Sequence, residues 1–405
     1  MFKLFTRRAK RVYLDNAGAT PISARSRNEL LRTFSLYGNP SAIHKEGDQA
    51  SFALHTARTK IANVLNAHSY EIIFTGTGTE SCNMAIVGTY LAAIKNLKLE
   101  IENSRPRIIT SAIEHPAVLE PIKQLEREGK VVVSYLPVYE NGIVRVKDLR
   151  EALTENTILV SVMYANNEIG TIQPVKEIGR FIDEWKRENG RTFVSYPYFH
   201  VDACQAGNYL NLDVLRIKAH LMTVNSSKVY GPKGIAVLYK REGILFEAIT
   251  LGGGQERGWR SGTESVSLAS AFAEALKESQ DMRDKETVRL RSLRDHFFKR
   301  LEEEIPEIAI YGDREDRLPN NINIRVPGIP SDEMILRLDA MGYAVSHKSA
   351  CASQETEGSY VLLALGATEG EALENVRITL GRDTKREDTE NLIEAIKDIK
   401  EKFSR

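Results

Sequence analysis

The sequence predicts an α/β protein with a mostly parallel central sheet in a large domain and a smaller α+β domain beside it. Two observations support this fold class. From about residue 70 to 240, short and nearly continuous apolar runs alternate with amphipathic helical segments, which is the pattern of a parallel sheet covered by helices on both faces. From about residue 265, a long helical pattern precedes strand-like runs that alternate with helices, as expected for a separate α+β unit.

The strands of the large domain can be read in order along the chain. The first, "EIIFTG", begins at residue 71 and is followed by a helix from about Thr79. The strand-like runs after it are "RIITSAIEH", "TILVSVMYA", "YFHVDA", "HLMTVNS" and "GIAVLYK". Between a helical segment and the strand "YFHVDA", the aromatic stretch "ENGRTFVSYPYFHVD" predicts a surface loop.

The smaller domain begins after this series. Its strand-like runs are "IAIYGD", "NNINIRV" and "YAVS". We therefore place the large domain at residues 21–265 and form the small domain from residues 1–20 and 266–405. A chain of 405 residues, 42% of them apolar, is long enough for one large core and a satellite domain.

Composition excludes several classes of function. Lys plus Arg and Asp plus Glu each number 55, so no overall basic field would attract the chain to nucleic acid or anionic lipid. No apolar run approaches the roughly 20 residues of a membrane span, and "MFKLFTRRAKR" lacks the apolar stretch of a secretory signal. Three scattered cysteines and eight unclustered histidines disfavour a metal site and favour a reducing compartment. We expect a cytoplasmic protein that acts on small molecules.

Three polar features fall where predicted strands end, at the edge where α/β proteins bind ligands. "FTGTGTES" suits a phosphate, although a plain glycine turn with Thr79 as helix N-cap gives the same pattern. Asp202 ends an apolar strand and needs a cation there, unless it serves a buried ion pair or a helix cap. Lys228 follows one strand later. Pyridoxal phosphate (PLP) needs this trio: an anion cradle, an acid for the ring nitrogen, and an amine that forms a Schiff base.

Two lysines lie in "NSSKVYGPKGIAVLY", and they have different settings. Lys233 stands in a tight "GPKG" turn, where a lysine usually points to solvent, whereas Lys228 closes a strand. Partial burial would lower the pKa of Lys228 and free its amine for attack. We therefore predict that Lys228 is the amine that bonds the cofactor.

Four further polar residues belong to the predicted site, each with a plainer alternative. His115 follows a strand and could stack on a flat ring, or merely bond nearby backbone. Asn166 and Asn167 could bind a ring hydroxyl or a substrate carboxylate, or merely close a turn. Arg377, placed at a helix-to-strand junction, could bind an α-carboxylate or form a surface ion pair.

Cys351 lies in "SHKSACASQETEGSY", a polar run without periodicity that predicts an exposed loop. Most cysteines are buried and inert, so an exposed thiol beside His347 and Lys348 is a candidate for a reactive thiolate.

Taken together, these motifs resemble the cysteine desulfurase family, which is class V of the fold-type I PLP enzymes. The resemblance runs from "VYLDNAGATP" to "VRITLGR", about nine tenths of the sequence. The matching pieces, in the family's order, are "GNPSAIH", "FTGTGTES", "IEHPAV", "NNEIGTIQP", "VDACQA", "SKVYGPKG", "GGGQERGWRSGT" and "SACAS". The segment "CASQETEGSY" is similar to the longer-looped housekeeping group, whose members supply sulfur for iron–sulfur assembly and RNA thiolation.

The resemblance implies a role for each matching residue. Lys228 would hold PLP, Asp202 would pair with its ring nitrogen, His115 would stack on the ring and help move protons, and Gln205 would bond the phenolic oxygen. Cys351, on a loop of the small domain at about residues 346–359, would be the nucleophile.

The phosphate and the substrate have their own implied partners. Gly78, Thr79 and Ser227, with Asn225 beside them, would hold the phosphate together with Thr263 from the second subunit of a homodimer. Asn166, a further cofactor contact, and Arg377 would grip the carboxylate of L-cysteine.

The implied reaction converts L-cysteine to L-alanine and leaves a persulfide on Cys351, which a sulfur-acceptor protein such as an iron–sulfur scaffold would receive. No direct contact with nucleic acid is implied.

This chain departs from the family pattern at three places, one of which is the "YPYFH" loop, longer than usual and able to alter access or partner docking. Asn225, Ser226, Ser227 and Lys228 stand where Ser-Gly-His-Lys is usual, so an imidazole near the phosphate is missing, and we expect weaker cofactor retention. The run Gly76 to Gly78 replaces Ser-Gly-Ala. The alternatives are a selenocysteine lyase, another class V PLP enzyme such as an aminotransferase, or a non-catalytic paralogue that binds sulfur acceptors.

Overall fold

A computed structural model of the chain describes residues 11–96, 105–347 and 358–403. Its strands are β1 (Val12–Tyr13), β2 (Ile72–Thr75), β3 (Arg107–Ser111), β4 (Val132–Leu136), β5 (Thr157–Ser161), β6 (Tyr198–Asp202), β7 (Leu221–Asn225), β8 (Ala236–Lys240), β9 (Ala309–Ile310), β10 (Asn321–Arg325), β11 (Tyr343–Ala344) and β12 (Asn375–Thr379).

The α-helices are α1 (Ala24–Thr33), α2 (Lys45–Leu65), α3 (Gly78–Asn83), α4 (Thr89–Asn96), α5 (Pro116–Arg127), α6 (Val146–Ala152), α7 (Val175–Glu188), α8 (Val214–Ile217), α9 (Val266–Glu304), α10 (Ser331–Ala340), α11 (Tyr360–Ala364), α12 (Glu369–Ala372) and α13 (Arg386–Phe403). Among the residues described, no helix is both long enough and apolar enough to span a bilayer.

Seven of the described strands form the large sheet, in the order β2-β8-β7-β6-β5-β3-β4. The pairs from β7 to β4 are parallel, while β8 runs antiparallel to both β7 and β2. The predicted α/β class with a mostly parallel sheet is therefore confirmed. Because parallel strands end at the same edge, the residues that follow β3, β5, β6 and β7 meet there.

Helices bury both faces of this sheet, as the apolar runs predicted. Every residue of β5 and β6 is buried, which explains why these strands read as continuous apolar runs. Helix α7 places Ile178, Phe181 and Ile182 on one face, whereas α5 places Val118 and Ile122 on the other. Both helices repeat apolar residues at the three- and four-residue spacing of an amphipathic helix.

The smaller sheets lie in the C-terminal part of the chain. Strands β12, β10 and β9 form an antiparallel sheet, and β1 pairs in parallel with β11. Helix α9 joins the two regions, because its first turns pack in the core of the large sheet and residues such as Leu290 and Phe297 pack in the second core. The predicted boundary at residue 265 thus lies at the start of a helix that both cores share.

The stretch predicted as a surface loop is only partly exposed. Tyr196 is buried, and its ring lies 4.4 Å from that of Tyr198 at the start of β6. Phe193 stacks on His220, with ring centroids 4.6 Å apart. The prediction of a surface loop is therefore wrong for these two aromatic residues: Tyr196 packs on Tyr198, and Phe193 packs on a buried His–Lys pair.

That pair is Lys186 and His220, whose Nζ and Nε2 atoms lie 2.9 Å apart in the core. His220 Nδ1 accepts the N–H of Phe199 at 3.1 Å, so its ring hydrogen is on Nε2, which donates to the carbonyl of Phe193 at 3.0 Å. Lys186 Nζ also donates to the carbonyl of Phe193 at 2.9 Å. Burial lowers the pKa of Lys186 to about 7, so the amine is largely neutral above that pH.

We expect this lysine to make stability depend on pH between about 7 and 10. An unfolded lysine keeps its ordinary pKa near 10.4, so in this window the unfolded chain binds the extra proton and stability rises with pH, by up to about 1.4 kcal/mol per pH unit. Lys186→Met removes this slope and raises stability most at pH 7. Urea unfolding of both proteins at pH 7, 8 and 9 measures it, with the exposed Lys147→Met as control. Parallel pH profiles for Lys186→Met and the parent would contradict a neutral buried amine.

Candidate active site

A cavity of about 180 Å³ opens at the edge of the large sheet where the parallel strands end. It brings together most of the residues that the sequence predicts for the site. Those in its wall are Gly78, Thr79, His115, Asp202, Gln205, Asn225, Lys228 and Arg377. Asn167, one of the two amides that the sequence offered, also lines it, together with Cys82, Met163 and Cys204, to which the sequence assigned no role.

Lys228 ends a short helical turn that directly follows β7, so its position is fixed by the strand. Its Nζ donates to the carbonyl of Ala17 at 2.7 Å and also to the carbonyl of Gly18. Its own carbonyl accepts the side-chain amide of Asn208 at 2.6 Å. Lys233, the other candidate, is exposed. The structure thus points Lys228, and not Lys233, into the cavity.

Asp202 is the last residue of β6 and is only 6% exposed. Its Oδ1 accepts the backbone N–H of Cys204 at 3.0 Å, and its Oδ2 lies 3.8 Å from Cys82 Sγ. None of these contacts involves an ion-pair partner, so the remaining lone pairs of a buried carboxylate are available to a cation in the cavity.

His115 is the N-cap of α5, and its Nδ1 accepts the backbone N–H of Ala117 at 3.1 Å. The hydrogen of the neutral ring is therefore on Nε2. Burial lowers the pKa of His115; the negative charge of Asp202 opposes this, and the positive charges of Lys228 and Arg377 add to it. The ring that lines the cavity is thus biased toward its neutral form.

The glycine-rich turn before α3 forms one end of the cavity. Thr77 is the N-cap and accepts the N–H of Glu80, so the helix begins at Gly78, one residue before the predicted start at about Thr79, and the alternative of Thr79 as the N-cap is wrong. A Cβ on Gly78 would lie 3.1 Å from Cys204 Sγ and 3.2 Å from Asn225 Nδ2. A side chain there would narrow the cavity, while the first N–H groups of a helix attract anions.

Two residues predicted for the phosphate do not lie in the cavity wall. The Ser227 hydroxyl donates to Asn225 Oδ1 at 3.3 Å, because the turn that carries Lys228 folds it back on its neighbour. Thr263 is exposed on the chain described here. Its predicted role requires a second subunit and stays a prediction.

The structure does not bring the Asn166 side chain to the cavity. Its Oδ1 accepts the backbone N–H groups of Glu168 and Ile169, and its Nδ2 donates to the carbonyl of Ile113 at 2.9 Å. The amide is thus occupied in closing the turn, which was the plainer alternative. Asn167 lines the cavity in its place, and its Oδ1 is buried without a hydrogen-bond partner among the described residues.

Arg377 lies in the middle of β12, where the sequence suggested a helix-to-strand junction. It is 1% exposed, and its guanidinium donates to Asp15 Oδ1 at 2.8 Å and to the carbonyl of Asn167 at 3.1 Å. Its Nε is buried and has no hydrogen-bond partner within the described ranges. The alternative of a surface ion pair is therefore wrong, since Arg377 is buried at the cavity and its partner Asp15 is only 24% exposed.

Cys351 lies outside the described residues. The two cysteines that the structure describes, Cys82 and Cys204, both line the cavity. Burial raises the pKa of each thiol well above its usual value. Both are therefore neutral thiols at neutral pH, and neither is a ready nucleophile.

The residues of the cavity fit pyridoxal phosphate. A side-chain-free helix start suits the phosphate at one end, Asp202 offers acceptor lone pairs to a protonated ring nitrogen, and Lys228 supplies an amine. Within the described part of the chain, Asn167 Oδ1 and Arg377 Nε have no hydrogen-bond partner, and they offer one acceptor and one donor to a further polar ligand such as an amino acid.

The sequence is similar to proteins of known activity along almost its whole length. The family model described as aminotransferase class-V matches residues 12–392. The cysteine desulfurase IscS of Dictyoglomus turgidum is 39% identical and covers 97% of this chain and 95% of its own length. Among solved structures, a NifS-like protein is 31% identical with a TM-score of 0.86, covering 96% of this chain and 99% of that one. SspA in complex with cysteine is also 31% identical, with a TM-score of 0.73 and coverage of 91% and 98%.

Proposed function

The chain belongs to the class-V aminotransferase family and is a PLP-dependent cysteine desulfurase, and we propose that Lys228, Asp202 and His115 form its catalytic centre. The observation that supports this assignment is that one cavity holds all three. Lys228 would bond the cofactor covalently, Asp202 would pair with the ring nitrogen, and Gln205 would bond the phenolic oxygen.

The chain's own groups have distinct tasks in this proposal. PLP, when bound, supplies an electron sink that makes the Cα proton of L-cysteine labile. The Lys228 amine would be the base that takes this proton. His115 covers the ring and presents an N–H for proton movement. Arg377 Nε binds the substrate carboxylate, and we assign the amide beside it to Asn167 and not to Asn166.

Sulfur leaves the substrate by attack of Cys351. Its thiolate bonds the substrate sulfur, the C–S bond breaks, and the carbon takes up a proton, so that one cysteine gives one alanine and one Cys351 persulfide. The persulfide then passes its outer sulfur to a protein thiol. The segment "CASQETEGSY" supports an acceptor of the iron–sulfur scaffold or RNA-thiolation kind, in the cytoplasm.

We further propose a homodimer, in which Thr263 of the second subunit completes the phosphate site. A cluster of large apolar side chains stands exposed on α1, on α2 and on the segment between them: Leu31, Phe34, Tyr37, Ile43 and Phe52. Phe34 is 77% exposed and Tyr37 is 84% exposed. Large apolar side chains so exposed and so close together in the sequence support a protein interface here.

Charge placed on this surface is expected to separate the subunits. The double substitution Phe34→Glu and Phe52→Glu desolvates two carboxylates in the interface, which we expect to weaken dimerisation by at least about 100-fold. Light scattering across a dilution series measures the dimer fraction, and bound-cofactor absorbance reports the loss of Thr263. Leu336→Glu, equally exposed on α10, is the control. A variant that stays dimeric with full cofactor would contradict this surface.

The function is tested by mixing the PLP-loaded protein with L-cysteine and a thiol reductant and measuring alanine and sulfide together. We expect one alanine for each sulfide. Pyruvate and ammonia in place of alanine would contradict a desulfurase, and absence of both products would support a non-catalytic paralogue. L-selenocysteine in a parallel reaction distinguishes the lyase alternative, which requires turnover of the selenium compound with little turnover of cysteine.

A further inference from the structure

A chain of buried hydrogen bonds ends on the carboxylate of Asp202. It starts at Ser161, whose Oγ lies 2.8 Å from Nδ1 of His200, and it continues over 3.1 Å from His200 Nε2 to Thr223 Oγ1. Cys82 Sγ then lies 3.7 Å from Thr223 Oγ1 and 3.8 Å from Asp202 Oδ2. We refer to Ser161, His200, Thr223 and Cys82 as the Asp202 relay.

The relay is sealed from solvent, although it is polar throughout. All four residues are 0% exposed, and they come from β5, β6, β7 and α3. His200 and Asp202 share one face of β6 because they are two residues apart, and Thr223 is the register partner of Asp202 on β7. Buried polar groups cost free energy unless they are paired, so packing alone would favour apolar residues along this path.

The distances in the relay allow an arrangement in which each hydrogen points toward Asp202. A carboxylate only accepts hydrogen bonds, and burial raises the pKa of Cys82 well above its usual value, so the Cys82 thiol keeps its hydrogen and donates it to Oδ2. Thr223 can then donate to Cys82 Sγ while accepting from His200 Nε2.

This direction requires a neutral imidazole whose Nδ1 accepts from Ser161. Burial lowers the pKa of His200 to about 4, so the ring is neutral and carries one donor and one acceptor. Each link then donates to the next, and such chains polarise one another. The other carboxylate oxygen is held separately, by the N–H of Cys204 at 3.0 Å.

We propose that the Asp202 relay positions the carboxylate for the cofactor, so that residues buried behind the site set how firmly the ring nitrogen is held. The inference rests on the proposed role of Asp202. With one donor fixed on each oxygen, the carboxylate plane cannot rotate and its remaining lone pairs keep one direction. Thr223 and His200 touch neither the cavity nor the substrate and act only through Cys82.

Two substitutions at Thr223 separate this role from packing. Thr223→Val keeps the shape but removes the hydroxyl, and Thr223→Ser keeps the hydroxyl but removes a methyl group. Thr223→Val loses one hydrogen bond of the relay and should raise the Kd of PLP about threefold to tenfold. The variant should lower kcat more than it changes KM. The pH at which the absorbance of bound cofactor changes should shift by about 0.5 to 1 unit. The Kd of PLP for Thr223→Ser should stay within about twofold of the value for the parent.

The controls make each outcome decisive. Ser81 lies on α3 beside Cys82, and Ser81→Ala breaks its buried hydrogen bond to Thr75 of β2, 2.6 Å long. This bond is separate from the relay, so the variant should leave the Kd of PLP unchanged. The double variant Cys82→Ala with Thr223→Val should bind PLP no more weakly than Cys82→Ala alone, because either substitution breaks the same chain of hydrogen bonds.

If Thr223→Ser binds PLP more weakly than Thr223→Val does, the effect is one of packing and the relay is overturned. The proposed role of Asp202 has its own test in Asp202→Asn. If that variant holds PLP as the parent does, the role itself fails; if it loses PLP while Thr223→Val does not, only the relay fails.

Discussion

Lys228→Arg is expected to abolish turnover of L-cysteine, by about 10⁴-fold or more. Arginine keeps the positive charge and can still donate to the carbonyls of Ala17 and Gly18 that hold the lysine Nζ. It cannot bond the cofactor aldehyde, because a guanidinium does not give up its proton in proteins. The variant therefore removes the covalent attachment and the proposed base while leaving the local charge in place.

The measurement has two parts. Alanine production gives the loss of turnover, and reduction with borohydride followed by peptide mass analysis locates any cofactor that is covalently attached. We expect the parent to carry it on the peptide of Lys228 and the variant to carry none. Lys233→Arg is the matched control, since Lys233 lies five residues away and is exposed. Cofactor fixed on Lys233, or full turnover by Lys228→Arg, would contradict the assignment.

The centre of the site could be predicted because the ends of buried parallel strands can be recognised in a sequence. Buried parallel strands appear in the sequence as apolar runs, and Asp202 and Lys228 stand at the ends of two such runs. His115 likewise follows the run that forms β3. Parallel strands bring such ends to one edge. One cavity wall contains all three residues.

The choice between two adjacent amides could not be made from the sequence. Asn166 and Asn167 follow the same strand, and which one faces inward depends on the hydrogen bonds of the turn. Asn166 is used to bond the N–H groups of Glu168 and Ile169, which leaves Asn167 at the cavity. Alternation of side chains along an extended chain gives the two residues opposite directions, but it does not say which direction is inward.

Contacts between residues that lie far apart in the chain could not be predicted from the sequence either. The carbonyls that hold the Lys228 amine belong to Ala17 and Gly18, more than 200 residues earlier in the chain. The partner of Arg377 is Asp15, which is distant in the same way. The cap of α3 was predicted at the wrong threonine for a local reason: the backbone of Thr77 is extended and its side chain caps the helix, whereas Thr79 lies inside the helix.

Ser227 stands where the family usually has histidine, and the structure shows what its side chain contacts. Its hydroxyl is turned toward Asn225, and Asn225 lies in the cavity wall beside Gly78. The serine thus holds the amide in place and adds no charge. Weak retention of the cofactor stays the expectation at this position, since a neutral hydroxyl binds a phosphate less tightly than a charged imidazole.

Cys351→Ala is expected to stop release of sulfur, by at least about a thousandfold, while binding of PLP and of cysteine is kept. The C–S bond breaks only when a thiolate accepts the sulfur, so neither alanine nor sulfide should form. Alanine and sulfide are measured together, and peptide mass analysis of the parent after one turnover should find one additional sulfur atom on Cys351. The absorbance change on adding cysteine shows that substrate still binds to the variant.

The other two thiols provide the matched comparison. Cys204 lines the cavity, so position alone would make it a candidate, yet burial raises the pKa of its thiol well above the usual value and leaves almost no thiolate at neutral pH. Cys204→Ala should therefore keep most sulfur release. If Cys204→Ala loses it and Cys351→Ala does not, the sulfur is taken up inside the cavity, and the proposed hand-over of a persulfide from a loop to an acceptor protein is wrong.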